Sequence, residues 1–128
     1  MTRDVIATTN APAAIGPYSQ GIRVNGLVFT AGQAGVIPGT KQFAGETITA
    51  QTEQTLKNIA AILEAAGTDM AHVVKVMVLL ADMSLFAEMN AVYAKFFPQN
   101  PPARTTFAAK DLPLGALVEI DAVAVMPD

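Results

Sequence analysis

Cysteine and tryptophan are missing from this chain, and histidine occurs once, at His72. The first absence removes disulfide staples, thiolate nucleophiles and every cysteine-based zinc site. With a single imidazole and no carboxylate cluster beside it, a metal centre lacks ligands, so no metal is expected and His72 reads as a structural strand-end residue. Serine is almost as scarce. Ser19 and Ser84 are the only two, and neither stands in the G-x-S-x-G of a nucleophile elbow, which removes the serine triad. No G-x-G-x-x-G or Walker loop offers a phosphate cradle, and no cofactor is expected.

Charge is also thin. Eight basic and 11 acidic residues leave a net charge of −3 and a pI near 5.0, and the basic residues form no run, which disfavours a nucleic-acid partner. Charged residues make up 15% of the chain and hydrophobic ones 52%, a balance that leaves a lone monomer short of polar surface. No apolar run reaches the roughly 18 residues that span a bilayer, because Lys75 interrupts the longest, Val73 to Ala81. Met1 to Gly16 contains no continuous apolar stretch of the secretory kind, so the cytoplasm is the expected location. The 128 residues fit one domain, 1–128, without internal repeats or linkers.

What is present organises itself around turns and caps. Asn25-Gly26 between Ile22-Arg23-Val24 and Leu27-Val28-Phe29 predicts a hairpin with a type I′ turn. The sudden loss of bulk in Thr30-Ala31-Gly32-Gln33-Ala34-Gly35 marks a place where a backbone or ligand comes close. Leu56, Ile59, Ala60 and Leu63 predict a helix from about Thr47 to Ala66, stopped by Gly67. The valine-rich run His72 to Leu80 predicts a strand buried on both faces at the sheet centre. Ser84 is the expected cap of a second helix bearing Phe86, Met89, Tyr93, Phe96 and Phe97, which Pro98 ends. Ala103 to Ala108 and Leu117 to Met126 complete the strands, in the order βββαβαββ if Asp4 to Thr8 is an outer strand. Two helices cover only one face of such a sheet, and its other face is apolar too, so self-association is expected.

Four polar residues stand in otherwise apolar surroundings: Tyr18, Asn90, Arg104 and Glu119. Spacing alone leaves two readings open. Arg104 and Glu119 can neutralise one another, Asn90 can tie helix to loop, and Tyr18 can anchor an edge. Alternatively, the Arg104 guanidinium binds a carboxylate bidentately while Glu119 positions water or shuttles a proton. Gly32 then lets a backbone amide approach the ligand, and Thr106 shares a strand face with Arg104. Asp121 is in strand phase with Glu119 and is read as structural.

Five segments, Gly16-Pro17-Tyr18-Ser19-Gln20-Gly21, Thr30-Ala31-Gly32-Gln33, Asn90-Ala91-Val92-Tyr93, Pro102-Ala103-Arg104-Thr105 and Val118-Glu119-Ile120, resemble the RidA/YjgF family of reactive-intermediate deaminases in order and spacing. The resemblance covers nearly the whole chain. It implies a chorismate-mutase-like α+β fold, a mixed sheet of about six strands with two helices on one face, assembled as a homotrimer with pockets between subunits. It implies hydrolysis of small 2-imino and enamino acids such as 2-aminoacrylate to 2-oxo acids and ammonium, without cofactor. In that reading Arg104 binds the substrate carboxylate and Glu119 serves the attacking water. Tyr18 and Asn90 enclose the pocket, and Gly32 and Thr106 supply backbone contacts. Many deaminases of the family carry serine where this chain has Ala31 and Thr105, so the substrate contact at Ala31 lacks a hydroxyl. Two other readings of the same pocket are a non-catalytic 2-oxo-acid binder or chaperone-like trimer and, last, a ribonuclease, which the acidic balance disfavours.

Overall fold

The computed structural model describes residues 2–128. Local signals set most of its elements. Asn25 and Gly26 take φ of 52° and 77°, the paired positive angles a tight hairpin needs, and they join β2 (Gly21–Val24) to β3 (Leu27–Thr30). The short β1 (Asp4–Ile6) lies outside them. Helix α1 (Ile48–Ala66) starts where the Thr47 side chain accepts from the Ala50 N–H, and stops at Gly67, whose φ of 94° is left-handed. Then follow β4 (Val73–Leu80), α2 (Phe86–Phe96), β5 (Ala103–Ala108) and β6 (Val118–Val125), in the expected order βββαβαββ. No helix among the described residues is long and apolar enough to cross a membrane.

The six strands form one mixed sheet in the order β1-β2-β3-β6-β4-β5. Only β4 and β5 pair in parallel, and α2 supplies the crossover such a pair requires. Two expectations need correcting. The valine-rich β4 lies next to the edge strand rather than at the centre, with Val74 exposed and Lys75, Met77 and Leu79 half-buried. Its apolar outer alternation reflects a face this single chain leaves uncovered. Ser84 does not cap α2: the Asp82 side chain accepts from the Ser84 N–H in a short 3₁₀ turn that leads into the helix at Phe86.

Strand alternation divides the sheet into two unlike faces. Val28, Val76, Val78, Leu80, Val118, Ile120, Ala122 and Ala124 pack with Leu56, Ile59, Ile62 and Leu63 of α1 and Met89 and Tyr93 of α2, all buried in one core. The residues between them on β4 and β6, including Met77, Leu79, Val123 and Val125, are only half-buried. Phe29 on β3 and Phe107 on β5 share that open side and are 41% and 46% exposed.

Buried amides on α1 fasten the long connection from β3. Asn58, fully buried, donates to the Ala34 and Val36 carbonyls and accepts from Gln54. Gln51 donates to the Gly45 carbonyl and accepts from the Leu117 N–H. Removing the Asn58 amide strands two carbonyls, so Asn58→Ala is expected to lower the unfolding free energy by about 1–3 kcal/mol. Urea denaturation measures this, and a loss below about 0.5 kcal/mol contradicts the fastening role.

Candidate active site

The polar residues singled out in the sequence fall into two groups, one on each side of the sheet. Arg104 stands opposite Val76 in the parallel β4/β5 register and therefore shares the helix-covered face. Its guanidinium lies over the rings of Phe86 and Tyr93, 5.6 Å and 4.7 Å from their centroids, within cation–π range. Phe86, Asn90 and Tyr93 are spaced four and three residues apart on α2, one helical stripe, which brings Asn90 to the same place. Thr106 lies two residues along β5 from Arg104, opposite Val78. Among the described residues Arg104 has no carboxylate partner. Around it Asn90 Oδ1, Tyr93 Oη and Thr106 Oγ1 are buried without a hydrogen-bond partner. Such oxygens are expensive to leave unpaired. Burial pushes the Tyr93 phenol up from its ordinary value, and the Arg104 charge pulls it back in part.

Glu119 is on the other side. It pairs with Leu79 across β4/β6 and points to the open face. The Arg104–Glu119 ion pair that spacing allowed is thus absent, because the two side chains leave opposite faces of strands separated by β4. Gly32 explains the loss of bulk after β3 differently from the expectation: a Cβ there would come within 2.7 Å of Glu119 Oε2, so the missing side chain makes room for a carboxylate. The Ala31 N–H donates to the Gln20 carbonyl and the Gln33 N–H to that of Ile120, both at 2.8 Å. Between them the Gly32 N–H meets no acceptor among the described residues.

Tyr18 lies two residues before Gln20, beside the hollow lined by Val5, Thr8 and Ala13. Its Oη accepts from the Ile15 N–H at 3.3 Å, and the ring is half exposed. Gln20 holds the arm that carries it, through hydrogen bonds to Thr8 N–H and to the carbonyls of Thr8, Ala11 and Pro12. Burial raises the Glu119 carboxyl above its usual value, and the neighbouring Asp121 charge adds to the rise. Asp121 is itself raised by burial, against the pull of Lys75.

The structure therefore brings Asn90, Arg104 and Thr106 together, and Ala31, Gly32 and Glu119 together, without joining the two sets. Two hollows, of about 300 Å³ beside Phe97 and about 440 Å³ beside Tyr18, are lined by neither Arg104 nor Glu119. His72 holds Asp69 at 2.7 Å, and that hydrogen bond lowers the exposed Asp69 carboxyl, a structural role as expected. No three His, Asp or Glu residues gather as metal ligands among the described residues. Phe86 and Tyr93 under the guanidinium escaped sequence reasoning, which took them as core. Their spacing from Asn90 was the available signal.

The chain matches the family model described as endoribonuclease L-PSP over residues 8–126. It is 48% identical to the chloroplastic Reactive Intermediate Deaminase A of Arabidopsis thaliana, across 97% of this chain and 66% of that one. It is 46% identical to the 2-iminobutanoate/2-iminopropanoate deaminase of Mus musculus, across 96% of this chain and 91% of that one. Among solved structures, Escherichia coli TdcF with bound serine superposes with a TM-score of 0.93 at 36% identity, covering 97% and 99% of the two chains. With its six-stranded mixed sheet, its two helices and nearly its whole length matched, this chain belongs to the endoribonuclease L-PSP family, the RidA/YjgF family.

Proposed function

We propose that this protein hydrolyses small 2-imino and enamino acids to 2-oxo acids and ammonium, at sites that each take Arg104 from one copy and Glu119 from a neighbour in a homotrimer. The observation that carries this reading is the Arg104 guanidinium, held on two aromatic rings, beside buried oxygens that have no partner and without a carboxylate partner among the described residues. Such a group suits a carboxylate ligand bound through paired N–H donors. The deaminase names of the Arabidopsis and mouse relatives support the chemistry, and the serine bound by TdcF is a carboxylate of the right size. The apolar open face supports self-association, and three copies is the number the resemblance implies. The chain is read as one domain over 1–128.

The chemistry asks for little beyond placement. Arg104 fixes the carboxylate, and the free Gly32 N–H and the Thr106 backbone orient the rest of the substrate. Asn90 Oδ1 accepts from an N–H of the bound molecule, while Tyr18 closes the mouth. Glu119 directs a water to C2 of the imine. As the C–O bond forms, the C=N pair moves to nitrogen. Proton transfer then lets ammonia leave from the carbinolamine and the carbonyl form. Orientation supplies much of the rate because the imine carbon is already electrophilic, and proton transfer adds about 10²–10⁴-fold. Ala31 offers no hydroxyl to the substrate, which removes a hydrogen bond worth about 0.5–1.5 kcal/mol relative to serine.

Imino acids generated in situ by an amino-acid oxidase, with semicarbazide trapping what remains, test the reading. Arg104→Ala is expected to lower kcat/KM by about 10²–10³-fold through both KM and kcat, since the carboxylate it holds is bonded to the reacting C2 and sets the orientation of that carbon. Glu119→Gln is expected to lower kcat by about 10²–10⁴-fold with little change in KM. A wild-type protein that clears imine no faster than buffer leaves a ligand-binding protein instead. Phe107→Glu places a charge on the open face and is expected to yield monomers without deaminase activity; sedimentation showing an intact, active oligomer contradicts the role of that face.

A further inference from the structure

Glu119 and Asp121 alternate with buried Ile120 on β6, so both carboxylates project onto the open face, two residues apart. Among the described residues neither makes an ion pair or a side-chain hydrogen bond. Asp121 pairs with Met77 of β4, beyond which Thr105 of β5 lies in register. Lys75 stands diagonally across from Asp121, yet its Nζ donates to Thr105 Oγ1 at 2.7 Å. The cation is near but held by a hydroxyl. Within one chain the groups facing the pair are few, and in the proposed site a neighbouring copy adds Arg104, whose charge the substrate carboxylate offsets. β4 contributes Lys75, and β5 contributes the Thr105 hydroxyl while Arg104 points to the other face. The segment after β3 contributes Ala31 and Gly32, without charge. The like charge beside Glu119 comes from Asp121 alone.

We propose that Asp121 is a positioning residue for the reaction: its carboxylate, two residues from Glu119 on the same face of β6, opposes ionisation of Glu119, while Lys75, fixed by Thr105, favours the charged form of Asp121. This rests on the deaminase reading and on Glu119 acting in it. A carboxyl that gives a proton to the substrate nitrogen and takes one back from the water-derived hydroxyl works best with a pKa near ambient pH. Burial and an adjacent negative charge both move a carboxyl in that direction, and burial with Asp121 beside it raises Glu119 in this way. The pull of Lys75 on Asp121 opposes the effect of burial there.

The test is the pH profile of kcat/KM for wild type, Asp121→Asn, Asp121→Glu and Glu119→Gln. The limb that disappears in Glu119→Gln is expected to move to lower pH by about 0.5–1 unit in Asp121→Asn, because a neutral neighbour no longer opposes ionisation, and to return in Asp121→Glu. An Asp121→Asn limb at the wild-type pH, with Glu119→Gln inactive, overturns this proposal and leaves the deaminase reading standing. Full activity in Glu119→Gln removes Glu119 from the mechanism and this proposal with it, whereas wild type clearing imine no faster than buffer sinks the deaminase reading as well. Should Asp121→Asn not assemble, carboxyl titration by ¹³C NMR in the wild type decides: Glu119 and Asp121 releasing protons in coupled steps supports the proposal, and two independent single-step curves overturn it.

Discussion

Two helices cannot cover both faces of a six-stranded sheet, and the rest of this molecule follows from that limit. The covered face carries the core, from Val28 across Ile120 and Val78 to Met89 and Tyr93. The other face keeps Phe29, Met77, Leu79, Phe107, Val123 and Val125 partly in water, a state that association removes at a gain of about 25 cal/mol per Å². Because strand residues alternate, the same division separates the polar groups. Arg104 leaves β5 on the covered side, and Glu119 leaves β6 on the open side. One chain therefore carries Arg104 and Glu119 on opposite faces and does not join them.

Each half is arranged as though its counterpart arrives from outside. On one side an arginine rests on Phe86 and Tyr93, among oxygens of Asn90, Tyr93 and Thr106 that have no partner. On the other, Gly32 gives its side-chain space to Glu119 and leaves its N–H unused between two occupied neighbours. An unpaired charge of this kind is costly to bury, and in the proposed site the carboxylate of the ligand meets it. The half-exposed Tyr18 stands two residues from Gln20, whose side chain fastens the segment from Thr8 to Pro12.

Much of this was legible where physics is local. Asn25-Gly26, Thr47 and Gly67 act within a few residues, and the structure uses each as the sequence suggested. Parity within one strand was equally readable: Thr106 accompanies Arg104, and Asp121 accompanies Glu119. Parity between strands was not. Whether Arg104 and Glu119 share a face depends on the register of β4 with both neighbours, which no spacing along the chain encodes. The same blindness put β4 at the sheet centre, since a valine run looks alike whether its second face is covered by the same chain or by another. Tyr93 was hidden because an aromatic at helical spacing usually means core; here it is core and also the support of a cation.

The central claim, that a working site takes Arg104 from one copy and Glu119 from another, is tested most directly by mixing two impaired variants and assaying them at substrate well below KM. Arg104→Ala and Glu119→Gln are unfolded together in equal amounts, refolded, and assayed for imine hydrolysis. Activity is expected to return to about a quarter of the sites, the share of boundaries that random assembly supplies with both intact groups. A mixture no faster than the mean of its parents, with the oligomer formed, contradicts it.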